Sequence, residues 1–584
     1  MKYMLKILNN YFVFFVLITS SAFLYGGTTG RNKEILISEK VYLHIDRRVY
    51  VAGENLLYSF YLIDTKADKL ASYSSIGYVS FRNQTGEVLG KSQVRVENGI
   101  ASGAIYLPDT LKTGYYQVVA YTNFMRNGSE DIFYKSQVLV ANRFDKDFFD
   151  LIIPNQEGRD SVEKTETALN NPFQLNIIPT KSSFGKREKA GFKINIKDQA
   201  CNFADLTISV VENNTIERLK AKNIKSANNA RAAILDLQNV DKKLYLCEDK
   251  YAELQGVLTE AGNGNAIANK PLYLSTPDSV TNFKYAVTDA KGVFRFALPD
   301  YYSGKELFIK VKEGEALPTQ IIVDSKFQKG ESFRPETWQI DSSLIRYLRN
   351  SQDIVRIQKT FSQIQTQYTG MSYVFRNSLL YKRPDFKVFP AEYVDLKDFT
   401  EISREIIPPL KIRKRDNVYT SEILDISRRN YLPSRPLIFL DGVILDDISQ
   451  IIPYGTKDIK RVEVISSSLF VDNQEFNGVL SVFSNNNLWK TVTLNSRSLK
   501  IKAETFYEFP KLTMPDYSLT DVQSREPDFR QLLYWNPHFH VNADKSQAIE
   551  FYTSDNATSY LIKVSGVTDK GEKIEAYSEF EVVE

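Results

Sequence analysis

The chain holds three histidines, His44, His538 and His540, so any imidazole chemistry must come from these. His538 and His540 stand two residues apart, which on a strand puts both rings on one face, as a pair of metal ligands would need. No third ligand is identifiable, and Trp535 and Phe539 beside them suit the same residues to packing. His44 falls on the polar side of an alternating segment and reads as a satisfied surface or interface histidine. Three acids, Asp441, Asp446 and Asp447, lie in "PLIFLDGVILDD", but their spacing and glycine placement do not match an EF-hand loop. Asp441 with Gly442 instead suits a tight turn, because glycine takes positive φ freely and aspartate tolerates it. There is no Gly-x-Ser-x-Gly elbow, HExxH or phosphate-binding loop. No catalytic residue, cofactor site or metal-ligand set is assigned, and the chain is expected to be non-enzymatic.

Two cysteines complete the inventory, Cys201 and Cys247. In an exported chain an even pair suggests a disulfide, worth on the order of 4 kcal/mol in the chain-entropy picture; two unpaired buried thiols are the other reading. Export itself is read from the N-terminus. Lys2 and Lys6 precede the apolar run Tyr11–Tyr25, and small residues stand toward and just after its end, at Ser20, Ala22 and Gly26, as in a secretory signal peptide. That run is short of the ~20 apolar residues a membrane span needs. No cysteine suggests a lipid-modified N-terminus. Net charge is only +3 from 74 basic and 71 acidic residues, so no global field argues for nucleic acid. The basic run Lys411–Arg415 alternates with Leu410 and Ile412 and reads as the wet face of a strand.

The elements that must position these residues are strands. With 34 tyrosines and 36 phenylalanines, the 584-residue chain is rich in side chains that favour half-buried pleated surfaces. Its length allows several domains. From 34 to 144, short strand-like runs recur between glycine turns, the pattern of a β-sandwich. Its first part carries Asp46-Arg47 and Tyr50-Val51-Ala52-Gly53-Glu54, and a later run begins Gly114-Tyr115-Tyr116. These residues resemble the macroglobulin-like domain near the start of alpha-2-macroglobulin proteins, with Ala52 where proline is usual. A second immunoglobulin-like unit with a polar loop (Asn214–Ala233) is expected over 172–250. Residues 251–325, with Thr288-Asp289-Ala290-Lys291-Gly292-Val293-Phe294-Arg295-Phe296 read as a hairpin, resemble the carboxypeptidase-regulatory-like module, a non-catalytic spacer. Near-helical spacing of Leu344, Tyr347, Leu348, Ile354, Val355, Phe361 and Ile364 predicts an amphipathic helix within a linker over 335–385. A short helix at Leu396–Ile407 is predicted to stop at Pro408-Pro409.

The segment 386–488 orders a helix, a strand, "PLIFLDGVIL", "DIKRVEVI" and "FNGVLSV". It resembles the plug domain of TonB-dependent outer-membrane receptors, which implies a small α+β fold with Asp441 and Gly442 at its structural turn. The 97 residues after Asn487 are too few for the 22-stranded barrel of such receptors, whose ~9–11-residue strands alone need over 200. A last sandwich of macroglobulin type is expected over 495–584. True macroglobulins trap proteases through a Cys-Gly-Glu-Gln thioester, and neither Cys201 nor Cys247 stands in such a run.

The expectation is thus a mainly β, multidomain protein. It has a signal peptide at 1–26, several immunoglobulin-like sandwiches, a short helical linker and a plug-like domain without a barrel. Such a chain resembles an exported Gram-negative envelope family, located in the periplasm or at the outer membrane. The resemblance implies a binding or accessory component of a TonB-dependent receptor or transport system. Its partner would be an outer-membrane receptor or other envelope protein, with membrane association peripheral or through that partner, and no nucleic acid or cofactor. The alternative is a macroglobulin-type protease-binding protein lacking a thioester, with Asn214–Ala233 as its only bait segment.

Overall fold

The computed structural model describes residues 34–36, 39–67, 69–145, 175–196, 203–214, 216–217, 234–236, 244–312, 318–336, 338, 342–361, 379–471, 474–506, 514–518, 527–542, 546–569 and 573–584. The signal-peptide segment, Cys201 and residues 218–233 lie outside them. The fold is mainly β and multidomain, with α-helices at Ser342–Phe361 and Phe399–Ile406 and several strand layers.

The first sandwich lies within residues 39–141, and Glu34–Leu36 pairs instead with Ile234–Asp236. Strands Glu39–Ile45, Asn55–Asp64 and Ile100–Tyr106 form one sheet, and Ile76–Arg82, Gly114–Tyr121 and Tyr134–Ala141 lie in the other. Alternation turns Val41, Leu43, Tyr58 and Phe60 inward against Phe81, Val118 and Val138. The residues that carry the macroglobulin resemblance close a network at the turn. Tyr50 donates to Asp46 Oδ1 at 2.7 Å, Leu57 N donates to the same oxygen at 2.9 Å, and Arg47 pairs with Glu54 at 2.9 Å. Ala52 has a reason to differ from proline here, since its N–H donates to Ala141 O at 2.9 Å.

The second sandwich pairs Val293–Leu298, Ala252–Glu260 and Thr319–Val323 in one sheet. The other holds Phe283–Val287, Pro271–Ser275, Glu306–Val311 and, unexpectedly, Ser498–Lys502. The expected hairpin around Gly292 is corrected: Phe283–Val287 and Val293–Leu298 belong to different sheets. Asp289 Oδ1 accepts from Lys291 N and Val293 N, both at 2.9 Å, and this turn carries the chain across the core rather than back along one sheet. The cores of the first two sandwiches are continuous.

A larger correction concerns the segments expected as separate units over 172–250 and 495–584. Their strands build one sandwich. Lys189–Ile196 lies between Leu175–Pro179 and Gln547–Tyr552, and Phe203–Glu212 lies between Leu532–Asn542 and Ser559–Thr568. The physical reason is coverage. The earlier segment alone presents Phe192, Ile194, Ile208 and Val210 with too few strands to hide them, and Phe551, Ile562 and Val564 from the C-terminal segment complete the core.

The helix Ser342–Phe361 buries Leu344, Tyr347 and Leu348 against Val49 and Val51 of the first sandwich. The α+β unit has the sheet order Phe386–Val388, Ile459–Val471, Gln474–Ser484, Leu437–Leu440, Val443–Leu445. The predicted short helix spans Phe399–Ile406, capped by Asp398, which accepts from Glu401 N at 2.9 Å. Phe399, Ile402 and Ile406 face the core as their spacing requires. A separate three-stranded sheet, Leu410–Arg415, Val418–Asp425 and Asn430–Tyr431, flanks this unit.

Candidate functional site: the Asp441–Gly442 joint

Leu440 pairs with Val443, so Asp441 and Gly442 are the two central residues of a β-hairpin. Their φ values, 48° and 85°, are both left-handed, as a type I′ turn demands. Turn geometry explains the glycine only in part. A Cβ on Gly442 would sit 2.6 Å from Thr276 O of the second sandwich, so the backbones meet where no side chain fits.

Asp441 is 7% exposed, and its polar atoms face partners. Oδ1 accepts from Ser484 N at 2.6 Å, while Oδ2 accepts from Ser484 Oγ at 2.6 Å and Trp489 N at 3.1 Å. Its backbone N–H donates to Val482 O at 2.8 Å, and its carbonyl accepts from Asp278 N at 2.9 Å. The carboxylate therefore ties the hairpin to the strand Gln474–Ser484, and the carbonyl ties it to the second sandwich. A carboxylate engaged in this way is a structural acceptor.

The hairpin continues the joint outward. Ile444 N donates to Ser275 Oγ at 3.1 Å, and Thr281 Oγ1 donates to Ser481 Oγ at 2.8 Å. Lys310 pairs with Asp446 at 2.6 Å. Phe439, Ile444, Phe476 and Val479 pack with Tyr273 and Phe283, whose ring meets Phe439 edge to face at 6.0 Å. The hairpin face is thus covered by the chain's own second sandwich.

The histidines separate. His540 Nδ1 bonds Asp205 Oδ1 at 2.8 Å and His538 Nε2 bonds Ser102 Oγ at 3.1 Å, so the two rings serve different neighbours. No group of three His, Cys, Asp or Glu side chains suited to a metal occurs among the described residues. His44 is the interface histidine: its ring bonds Ser565 and, at 3.2 Å, Ser209, joining the first sandwich to the third. Burial, then the nearby Lys563 and Arg48 charges, hold its pKa well below the usual imidazole value. Beside it Lys563 pairs with the buried Glu217 at 2.8 Å, and Glu217 also accepts from Arg48 N.

Cys247 has a free thiol in contact with Ser74 Oγ at 3.2 Å and Glu39 Oε1 at 3.5 Å. Burial first and then Glu39 push that thiol up to about 12, which favours the neutral thiol. Its expected disulfide partner, Cys201, lies outside the described residues. Of the loop Asn214–Ala233 expected as a bait candidate, Ile216 is buried near its start, and residues 218–233 lie outside the described residues.

Sequence reasoning missed a cavity of about 260 Å³ where the first two sandwiches meet, lined by Tyr78, Glu253, Tyr302, Lys326 and Phe506 among others. Lys326 Nζ bonds Asn123 Oδ1 at 2.9 Å and pairs with Glu248 at 3.2 Å, and burial lowers its pKa. No sequence signal gathers these residues, because they come from distant segments.

Neither a family model nor a curated protein matches the chain. Among solved structures, native Escherichia coli alpha-2-macroglobulin overlaps 96% of this chain and 40% of its own length, at 10% identity and a TM-score of 0.24. Salmonella alpha-2-macroglobulin reacted with methylamine overlaps 96% and 40%, at 9% identity and a TM-score of 0.24. Dimeric latent PorU from Porphyromonas gingivalis overlaps 94% and 34%, at 8% identity and a TM-score of 0.14. This chain therefore spans about two fifths of the macroglobulins it overlaps. At such scores nothing about family or function follows from the likeness.

Proposed function

We propose that this chain is a non-enzymatic, exported envelope protein that acts as a binding scaffold. The observation that carries the reading is the Asp441–Gly442 joint. The residues most able to suggest a ligand site are spent on holding two modules together. On this reading the chain is an accessory to an outer-membrane receptor or transport complex, and its α+β unit stays fixed to its own second sandwich. Binding then falls to the surfaces away from the hairpin, including exposed strand edges. Crosslinking in intact envelopes, followed by identification of neighbours, is expected to recover a receptor or transport protein. Recovering none would sink the reading.

A macroglobulin-type, thioester-free protease-binding function is favoured by a different observation. Glu217, which precedes residues 218–233 in the chain, pairs with Lys563 near the His44 contacts that bind the first sandwich to the third. Limited proteolysis separates the two readings. A single cut within 218–233 that leaves the protease in a stable complex supports the guard, whereas a cut with no retained protease counts against it.

A further inference from the structure

One basic stretch of the chain also forms a sheet with an exposed face. Residues 410–435 hold seven basic and three acidic residues, a net +4, while the whole chain carries +3. The other 558 residues together therefore carry −1. Those 26 residues include the three-stranded sheet that flanks the α+β unit, with Leu410–Arg415 as an edge strand.

The sheet's two faces differ in kind. Leu410 and Ile423 are buried in the unit's core, and Ile412 and Tyr419 pack against it. Strand alternation sends Lys411, Arg413 and Arg415 to the opposite face, in register with Glu422, Thr420 and Val418. Arg413 takes Glu422 at 3.1 Å, which neutralises the one acid of that face. The turn after Asp425 adds exposed Arg428 and Arg429. Apolar side chains stand among these cations: Val418 is 57% exposed at the hairpin tip and Ile426 52% exposed beside the arginine pair. Cations interleaved with exposed apolar tips match a surface with phosphate charge outside and hydrocarbon just beneath. An acidic protein or glycan would use the charge but leave Val418 and Ile426 without a role.

We propose that this sheet face docks on the anionic phospholipid headgroups of a membrane surface. The inference goes beyond the scaffold reading and does not depend on it, because vesicle binding succeeds or fails whatever partners crosslinking recovers. The test is co-sedimentation of the full chain with phosphatidylcholine vesicles containing about one third phosphatidylglycerol, and with pure phosphatidylcholine. Binding is expected only to the anionic vesicles, and it should vanish at about 0.5 M salt, where screening shortens to a few ångströms. The triple variant Lys411→Gln, Arg413→Gln, Arg415→Gln is expected to weaken binding roughly a hundredfold. A control triple on other exposed lysines, Lys66→Gln, Lys112→Gln and Lys193→Gln, should leave binding unchanged. Should the first triple fail to fold, Val418→Asp at the exposed tip serves instead, and it should weaken binding without lowering the melting temperature. The proposal is overturned by absence of vesicle binding, by equal binding to pure phosphatidylcholine, or by equal loss in both triples. Binding to polyglutamate but not to vesicles would likewise overturn it, assigning the face to an acidic polymer.

Discussion

Gly442 shows how one residue can answer to two constraints. It needs positive φ for its own turn and leaves room for Thr276 O of the next module. Gly442→Ala is expected to cost about 2 kcal/mol or more, because the new Cβ meets backbone rather than a yielding side chain. The check is hydrogen exchange at Ser275 and Thr276, which should accelerate in the variant. His44 gives a pH prediction. Its folded pKa is depressed, so the unfolded chain binds more protons below about pH 6.5, and the stability it contributes is lost as pH falls through that window. Asp46, raised to about 6, and Glu212, raised to about 7, act in the opposite sense, binding protons more tightly when folded. The difference between wild type and His44→Gln isolates the histidine. In chemical denaturation, wild type should lose stability relative to the variant between pH 8 and pH 5. The turn of Asp441 and Gly442 was legible in the sequence because φ preference is local. Its docking was not, since no residue in "PLIFLDGVILDD" reveals that Thr276 lies opposite.

At the scale of elements, the short helix Phe399–Ile406 was legible from three apolar positions and two following prolines, while its Asp398 cap emerged only in the structure. The wet face of Leu410–Arg415 was legible for the same reason: period and polarity agree along one strand. The crossing at Gly292 was misread, because the same glycine turn serves a hairpin and a link between sheets. Which one forms depends on distant partners. Ala52 makes the point with a mutation. Restoring the usual proline removes the N–H that reaches Ala141 O, so Ala52→Pro is expected to destabilise the first sandwich by about 1–3 kcal/mol. A lowered denaturation midpoint would bear this out, and an unchanged one would not. Phe439 belongs to the joint between elements. Phe439→Ala removes a fully buried ring and should cost about 3 kcal/mol or more. The expected sign is faster protease cleavage within 271–287 and 437–445, with the first sandwich still resistant.

Seen whole, the molecule is held by contacts between segments far apart in the chain. That explains the boundary errors in the third sandwich. Strand periodicity identifies each strand of 175–212 and 532–582, but it carries no information on which distant strand lies beside it. A chain ended after Phe506 would keep both strands of the Asp441 hairpin and lose the C-terminal strands of that sandwich. It would expose Phe192, Ile208 and Val210, and it is expected to bind a hydrophobic dye and to be digested from 175 to 212. Resistance of that region in the shortened chain would contradict the shared core. The same interleaving bears on how the protein is made. Phe203–Glu212 leaves the ribosome 320 residues before Leu532, its antiparallel neighbour's first residue. At ordinary synthesis rates that delay is roughly 15–65 s, during which an apolar strand has no mate. Until the last strands arrive, this stretch is therefore expected to be the part of the chain most exposed to aggregation.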